Sequence, residues 1–116
     1  MTAAENDGAR ERALIAELND AFRRSFVGGQ VVITRGVAAM PEDERTALLA
    51  AVRAFEAFTP ENDPYGERDF GAVTIAGETF FWKIDPYDCD LTYRSPDPSD
   101  TGLTRRVLTI MRGDEY

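Results

Sequence analysis

The chain contains no histidine, a single cysteine and a single lysine. Without histidine there is no His-assisted serine or cysteine triad and no His-ligated zinc, so any catalysis falls to carboxylates, tyrosine or arginine. Cys89, being alone, closes no intrachain disulfide. Asp88 and Asp90 flank it and disfavour its thiolate, so it reads as a buried or incidental cysteine rather than a nucleophile. No apolar run approaches the roughly 20 residues that span a bilayer. The N-terminus lacks the basic start and apolar stretch of a signal peptide, which makes the cytoplasm the expected location. A phosphate-cradling loop is missing too, because Gly28-Gly29-Gln30 runs into a strand instead of a helix. The 12 arginines that accompany Lys83 show no site-like clustering and read as genomic base composition.

What is present suits one ordinary domain. A chain of 116 residues buries about two-thirds of its unfolded surface and needs no metal or disulfide to fold. The 43% hydrophobic and 29% charged fractions are those of globular proteins. The expected organisation is a disordered N-terminus over 1–8 and a single domain over 9–116. The 21 acidic and 13 basic residues leave a net charge of −8, which repels nucleic acid and anionic membranes and attracts basic protein surfaces. Acidity is uneven: residues 1–58 hold 9 acids and 7 bases, residues 59–116 hold 12 acids and 6 bases.

Leu14, Leu18, Ala21, Phe22 and Phe26 recur at helical spacing ahead of Gly28-Gly29. They predict an amphipathic helix from about Arg10 to Phe26, with Arg23 and Arg24 complementing its dipole. QVVITRG is β-branched on both faces and reads as a short buried strand. MPEDERTALLAAVRAF opens with proline and three acids and carries Leu48, Val52 and Phe55 at i, i+4 and i+7, which is a second helix. FTPENDPYGERDFG follows neither period and reads as an ordered loop. FGAVTI, the turn pair Ala76-Gly77 and ETFFWKID form a hairpin with Phe80, Trp82 and Ile84 on its core face. DLTYR reads as a short strand, SPDPSDTG as a loop and RRVLTIM as the last strand. The predicted fold is α+β, in the order α-β-α-β-β-β-β, with two helices packed on one face of a mainly antiparallel four- to five-stranded sheet.

The stretches GGQVVITRGVAAMP, FTPENDPYGERDFG, FFWKIDPYDCDLTYRSPDP and RVLTIM, together spanning nearly all of the chain after Asn19, resemble the bacterial domain of unknown function 3768. The resemblance implies a small acidic soluble bacterial protein, often encoded on plasmids and other mobile elements. It implies no established activity and supplies no catalytic residues.

The acidic loops therefore carry the functional question. Asp85, Asp88 and Asp90 have a D-x-x-D-x-D spacing whose oxygens suit a hard cation such as Mg²⁺ or Ca²⁺. As an EF-hand loop the stretch fails, since Tyr87, Asp90 and Pro96 stand where a ligand, a glycine and a glutamate are required. The competing and favoured reading is a set of aspartate turns joining strands. Glu61, Asp63, Glu67, Asp69 and Tyr65 lie in one loop; Asp85, Tyr87, Asp88, Asp90, Tyr93, Asp97 and Asp100 lie in the other. If the loops meet, they form an acidic surface studded with tyrosines, suited to an Arg/Lys-rich partner through charge pairing and cation–π contact. The partner-binding candidates are Asp63, Tyr65, Glu67, Asp85, Tyr87, Asp88, Asp90, Asp97 and Asp100. For any one tyrosine, packing beneath a loop with a wet tip is the favoured reading. Arg94, Arg105 and Arg106 are expected to pair with nearby carboxylates rather than close an anion pocket.

The leading expectation is a non-enzymatic interaction protein engaging a basic surface, in its sharpest form a DNA-mimic inhibitor of a nucleic-acid-binding or host-defence nuclease complex. A second reading is a carboxylate-based Mg²⁺- or Ca²⁺-dependent enzyme or metal-stabilised domain at Asp85, Asp88 and Asp90. A third is an antitoxin-like or regulatory partner of a basic protein. No other cofactor is expected.

Overall fold

The computed structural model describes residues 3–116, with side chains from Asp7 onward. Helix α1 (Ala3–Ser25) leads to strand β1 (Gly29–Ile33), the single turn α2 (Arg35–Ala38) and helix α3 (Glu42–Ala54). Loop 55–69 precedes the hairpin of β2 (Phe70–Ile75) and β3 (Glu78–Tyr87), and loop 88–104 precedes β4 (Arg105–Arg112). The strand order is β1-β4-β3-β2, with β1 parallel to β4 and the other pairs antiparallel. This is the α+β fold that the alternation of periods predicts. The hairpin register, Phe70 opposite Lys83 through Ile75 opposite Glu78, is closed by Ala76 and Gly77, both at positive φ.

Four local expectations are corrected. Helix α1 begins at Ala3 rather than near Arg10; Met1 and Thr2 lie outside the described residues. Its buried face is also turned: Leu14 is 42% exposed, while Ile15, Asn19, Asp20, Phe22 and Arg23 are buried. The turn lets polar side chains of α1 reach partners inside the fold. Strand β1 is a largely exposed edge instead of a buried strand, because β4 returns between it and β3. Finally, DLTYR forms no strand, and the sheet has four strands. Asp88 N–H donates to the Tyr93 carbonyl at 2.7 Å, Asp88 Oδ1 accepts from Thr92 N–H at 3.0 Å, and Leu91 takes a positive φ of 58°. The aspartate thus folds the segment into a tight reversal, leaving one bridge between Tyr87 and Arg94.

The core lies between the helices and one face of the sheet. Phe80, Trp82, Ile84, Leu108 and Ile110 meet Phe22, Val37, Leu48, Val52 and Phe55. Trp82 is fully buried and packs edge-on against Phe55 and Phe58, with ring centres 5.5 and 6.0 Å apart. Gly71 lies directly over its indole, where an added Cβ would come within 2.5 Å of Nε1.

Arg23, read from the sequence as complementing the dipole of α1, is fully buried beside this tryptophan. Its guanidinium carbon stands 5.2 Å from the Trp82 ring centre and 5.5 Å from that of Phe58. Nη1 donates to the Val52 and Arg53 carbonyls at 3.2 Å, closing the C-terminus of α3, and Nη2 pairs with Asp20 Oδ1 at 2.8 Å. Arg106 is likewise buried, and it binds Asn19 Oδ1 and the Pro98 carbonyl instead of a carboxylate. Burial pushes its pKa down.

Candidate functional site: an acidic end of the sheet

The first acidic loop is anchored where β2 enters the sheet. Asn19 Nδ2 donates to the Glu67 carbonyl at 2.9 Å, tying the first loop to α1. Ile84 N–H donates to the Asp69 carbonyl at 2.8 Å, tying it to β3. Around these anchors the chain turns through Gly66 (φ 67°) and Arg68 (φ 55°), and Asp63 Oδ1 steadies the turn by accepting from Arg68 N–H at 3.2 Å. A non-glycine residue in this backbone region is costly and is kept only where its surroundings fix it. Arg68 is fixed by Asp20 at 2.8 Å and by Phe58, whose ring centre lies 4.9 Å from its guanidinium carbon.

Along the loop runs an open groove of about 510 Å³, lined by residues that include Phe58, Pro60, Asp63, Pro64, Tyr65 and Arg68. Tyr65 is 74% exposed at its rim. Beside the groove stand two half-buried carboxylates. The Glu67 carboxyl is raised above its usual range, first by burial and then by the charge of Asp69; Asp63 adds to the rise, while Arg94 and Arg12 oppose it. Asp69 is raised too, chiefly by burial, with Asp63 and Asp85 adding and a bond from its own backbone N–H and the Arg94 charge opposing. The charges of both loops therefore reach one another at this end.

The nine candidate residues separate. Asp63, Glu67 and Asp85 join the cluster, and Tyr65 stands on the adjoining groove. Asp85 also pairs with Lys83 at 3.1 Å, and this contact raises the lysine pKa. Tyr87 is half-buried in β3. Asp88 closes its own turn, and Asp90 is exposed in that turn. Asp97 accepts from Ser99 N–H at 3.1 Å and Ser99 Oγ–H at 2.6 Å, which holds its carboxyl below the usual range. Asp100 caps the 3₁₀ turn Thr101–Leu103 by accepting from Gly102 N–H at 2.8 Å. Among the described residues no three histidine, cysteine, aspartate or glutamate side chains converge so as to hold a metal ion, Asp85, Asp88 and Asp90 included.

Two participants lie outside the candidate set, Asp69 and Arg94. Asp69 had a readable signal: continuing the β2 alternation backward from Val73 and Gly71 puts it on the core side, where a carboxylate is desolvated. Arg94 had none, since its place depends on the reversal that Asp88 makes. Cys89 is exposed, and its thiol donates to the Gly102 carbonyl at 3.4 Å. Among the described residues no helix is long and apolar enough to cross a membrane.

No curated protein and no solved structure matches the chain. One family model does, over residues 33–115, which takes in α2, α3, the hairpin, β4 and all of the acidic end while leaving out α1 and β1 before Ile33. The chain therefore belongs to the family described as a protein of unknown function, DUF3768.

Proposed function

We propose that this chain is a non-enzymatic interaction protein that engages a basic protein surface through Asp63, Glu67, Asp69 and Asp85. The observation that carries the reading is the pair of raised carboxyls, Glu67 and Asp69, half-buried in a cluster of like charge. Such a cluster is destabilised in its ionised form, and a cation brought by a partner relieves that cost on binding. Tyr65 on the neighbouring groove offers an exposed ring for the aliphatic stem or guanidinium of the same partner.

A titration of an arginine-rich peptide into the full chain at several salt concentrations tests this. Binding should weaken as salt rises, and Glu67→Gln/Asp69→Asn/Asp85→Asn should lower the affinity by at least about tenfold, roughly 1.4 kcal/mol. Protons should be released on binding at mildly acidic pH, because the arriving cation favours the ionised carboxylates. An affinity unchanged by the triple substitution, or no binding at low salt, removes the reading.

A further inference from the structure

Strand β1 forms one edge of the sheet, and it carries no charge, proline or bulge of the kind that keeps sheet edges from pairing. From Ser25 to Thr34 the sequence has neither a charge nor a proline. No bulge interrupts the register from Gly29 opposite Arg106 through Ile33 opposite Ile110. Val32 and Ile33 are 42% and 36% exposed. The other edge differs, since β2 has Asp69 just before it and Glu78 opposite its last residue. Those acids repel a second copy.

The backbone of β1 determines what its edge accepts. Thr34 N–H donates to the Ile110 carbonyl at 3.1 Å. In a parallel ladder the two polar groups of a residue point to the same side and successive residues alternate. Gln30 and Val32 therefore face β4, while Gly29, Val31 and Ile33 turn their N–H and C=O outward. Among the described residues none of these outward groups has a hydrogen-bond partner. Exposed backbone groups of this kind hydrogen-bond readily to another strand.

The geometry points to a second copy of this chain as the occupant, joined edge to edge by antiparallel pairing of the two β1 strands about a twofold axis at Val31. About that axis Val31 meets Val31 of the second copy and Gly29 meets Ile33, so every outward N–H finds an outward C=O. A slip of one residue sets outward groups against inward ones and loses these bonds. Gln30 and Val32 become direct neighbours across the seam, and the uncharged run places no like charges opposite each other. Asp63, Glu67, Asp69 and Asp85 gather by β2 and β3, away from this edge, so these four acids do not oppose the contact. The result is one sheet continuous through both copies, with the helices of both on the same face.

Sedimentation of the full chain over a concentration series, together with amide exchange read residue by residue, tests the pairing. The wild type is expected at twice its 12.9 kDa mass, dissociating on dilution. Gln30→Lys/Val32→Lys places lysines opposite each other across the seam and should give a folded monomer whose melting temperature no longer depends on protein concentration, as that of the dimeric wild type does. Gln30→Lys/Val32→Glu sets opposite charges at the same two positions and should recover the dimer. The Val31 and Ile33 amides should exchange slowly in the wild type and rapidly in the double-lysine variant, while those of Gln30 and Val32 stay slow in both. A wild type of 12.9 kDa at every concentration, a dimer indifferent to the double-lysine change, or Val31 and Ile33 amides that exchange rapidly in the wild type would each overturn the inference.

Discussion

Two groups of carboxylates lie on either side of Arg68, and burial treats them in opposite ways. Asp20, in α1, is buried and satisfied: it pairs with Arg23 and Arg68 at 2.8 Å each and lies 3.7 Å from Arg24. Glu67 and Asp69 are half-buried, and among the described residues neither has a salt-bridge partner. A desolvated carboxylate with cations at contact distance becomes part of the framework. One without them shifts its proton affinity and remains receptive to a cation from outside.

The largest expected effect comes from breaking the satisfied group. Asp20→Ala leaves Arg23 buried without its carboxylate and should cost about 3–5 kcal/mol in urea unfolding. A cost no larger than that of an ordinary surface substitution would mean that the two α3 carbonyls alone hold Arg23. Next in size is the platform beneath both groups: Gly71→Ala forces a methyl against the buried Trp82 indole and should destabilise by about 1–3 kcal/mol, with a change in tryptophan fluorescence.

The unsatisfied group should respond in the other direction. Glu67→Gln/Asp69→Asn removes the desolvated charge and should stabilise the fold at neutral pH by about 0.5 kcal/mol, a value discounted for solvent screening. Both carboxyls hold their protons to higher pH in the folded chain than in the unfolded one. Their contribution is thus fully present below the ordinary carboxylate range and is lost as pH rises through the raised values. Melting temperatures measured across that window should converge in acid and separate toward neutrality. If the curves run parallel, these carboxyls are not the source of the difference.

The smallest effect should come from a carboxylate that is exposed yet well bonded. Glu115 accepts from Thr34 Oγ–H at 2.6 Å, Arg112 N–H at 2.8 Å and Gly36 N–H at 3.0 Å, pinning the C-terminus to the start of α2. These contacts hold its carboxyl below the usual range, led by the Thr34 bond. Its stabilisation is present above the unfolded carboxylate pKa and lost as pH falls through the lowered value. Glu115→Gln should lower the melting temperature slightly at neutral pH, with the gap closing in strong acid.

The legible parts of this protein were those with local causes. The period-two run through Phe80, Trp82 and Ile84 identified the core face of β3, and the acids after Pro41 identified the start of α3. The α1 pattern misled because its leucines suggested a face that in the folded chain belongs to Asn19, Asp20 and Arg23, whose partners come from β4, loop 55–69 and α3. No periodicity of apolar residues reports a buried face that is half polar. DLTYR misled for a related reason, since one aspartate side chain outcompeted a weak strand pattern.

Element types, the hairpin and its turn, the α+β class and the want of histidine chemistry follow from composition and short-range pattern, because backbone preference and side-chain alternation act over a few residues. Tertiary structure decided that β4 enters between β1 and β3, leaving β1 as an uncharged edge, and that Glu67 and Asp69 share a desolvated site with Asp63 and Asp85. Those outcomes depend on pairings between segments tens of residues apart, where the loss of chain entropy is balanced by the whole core rather than by any local signal.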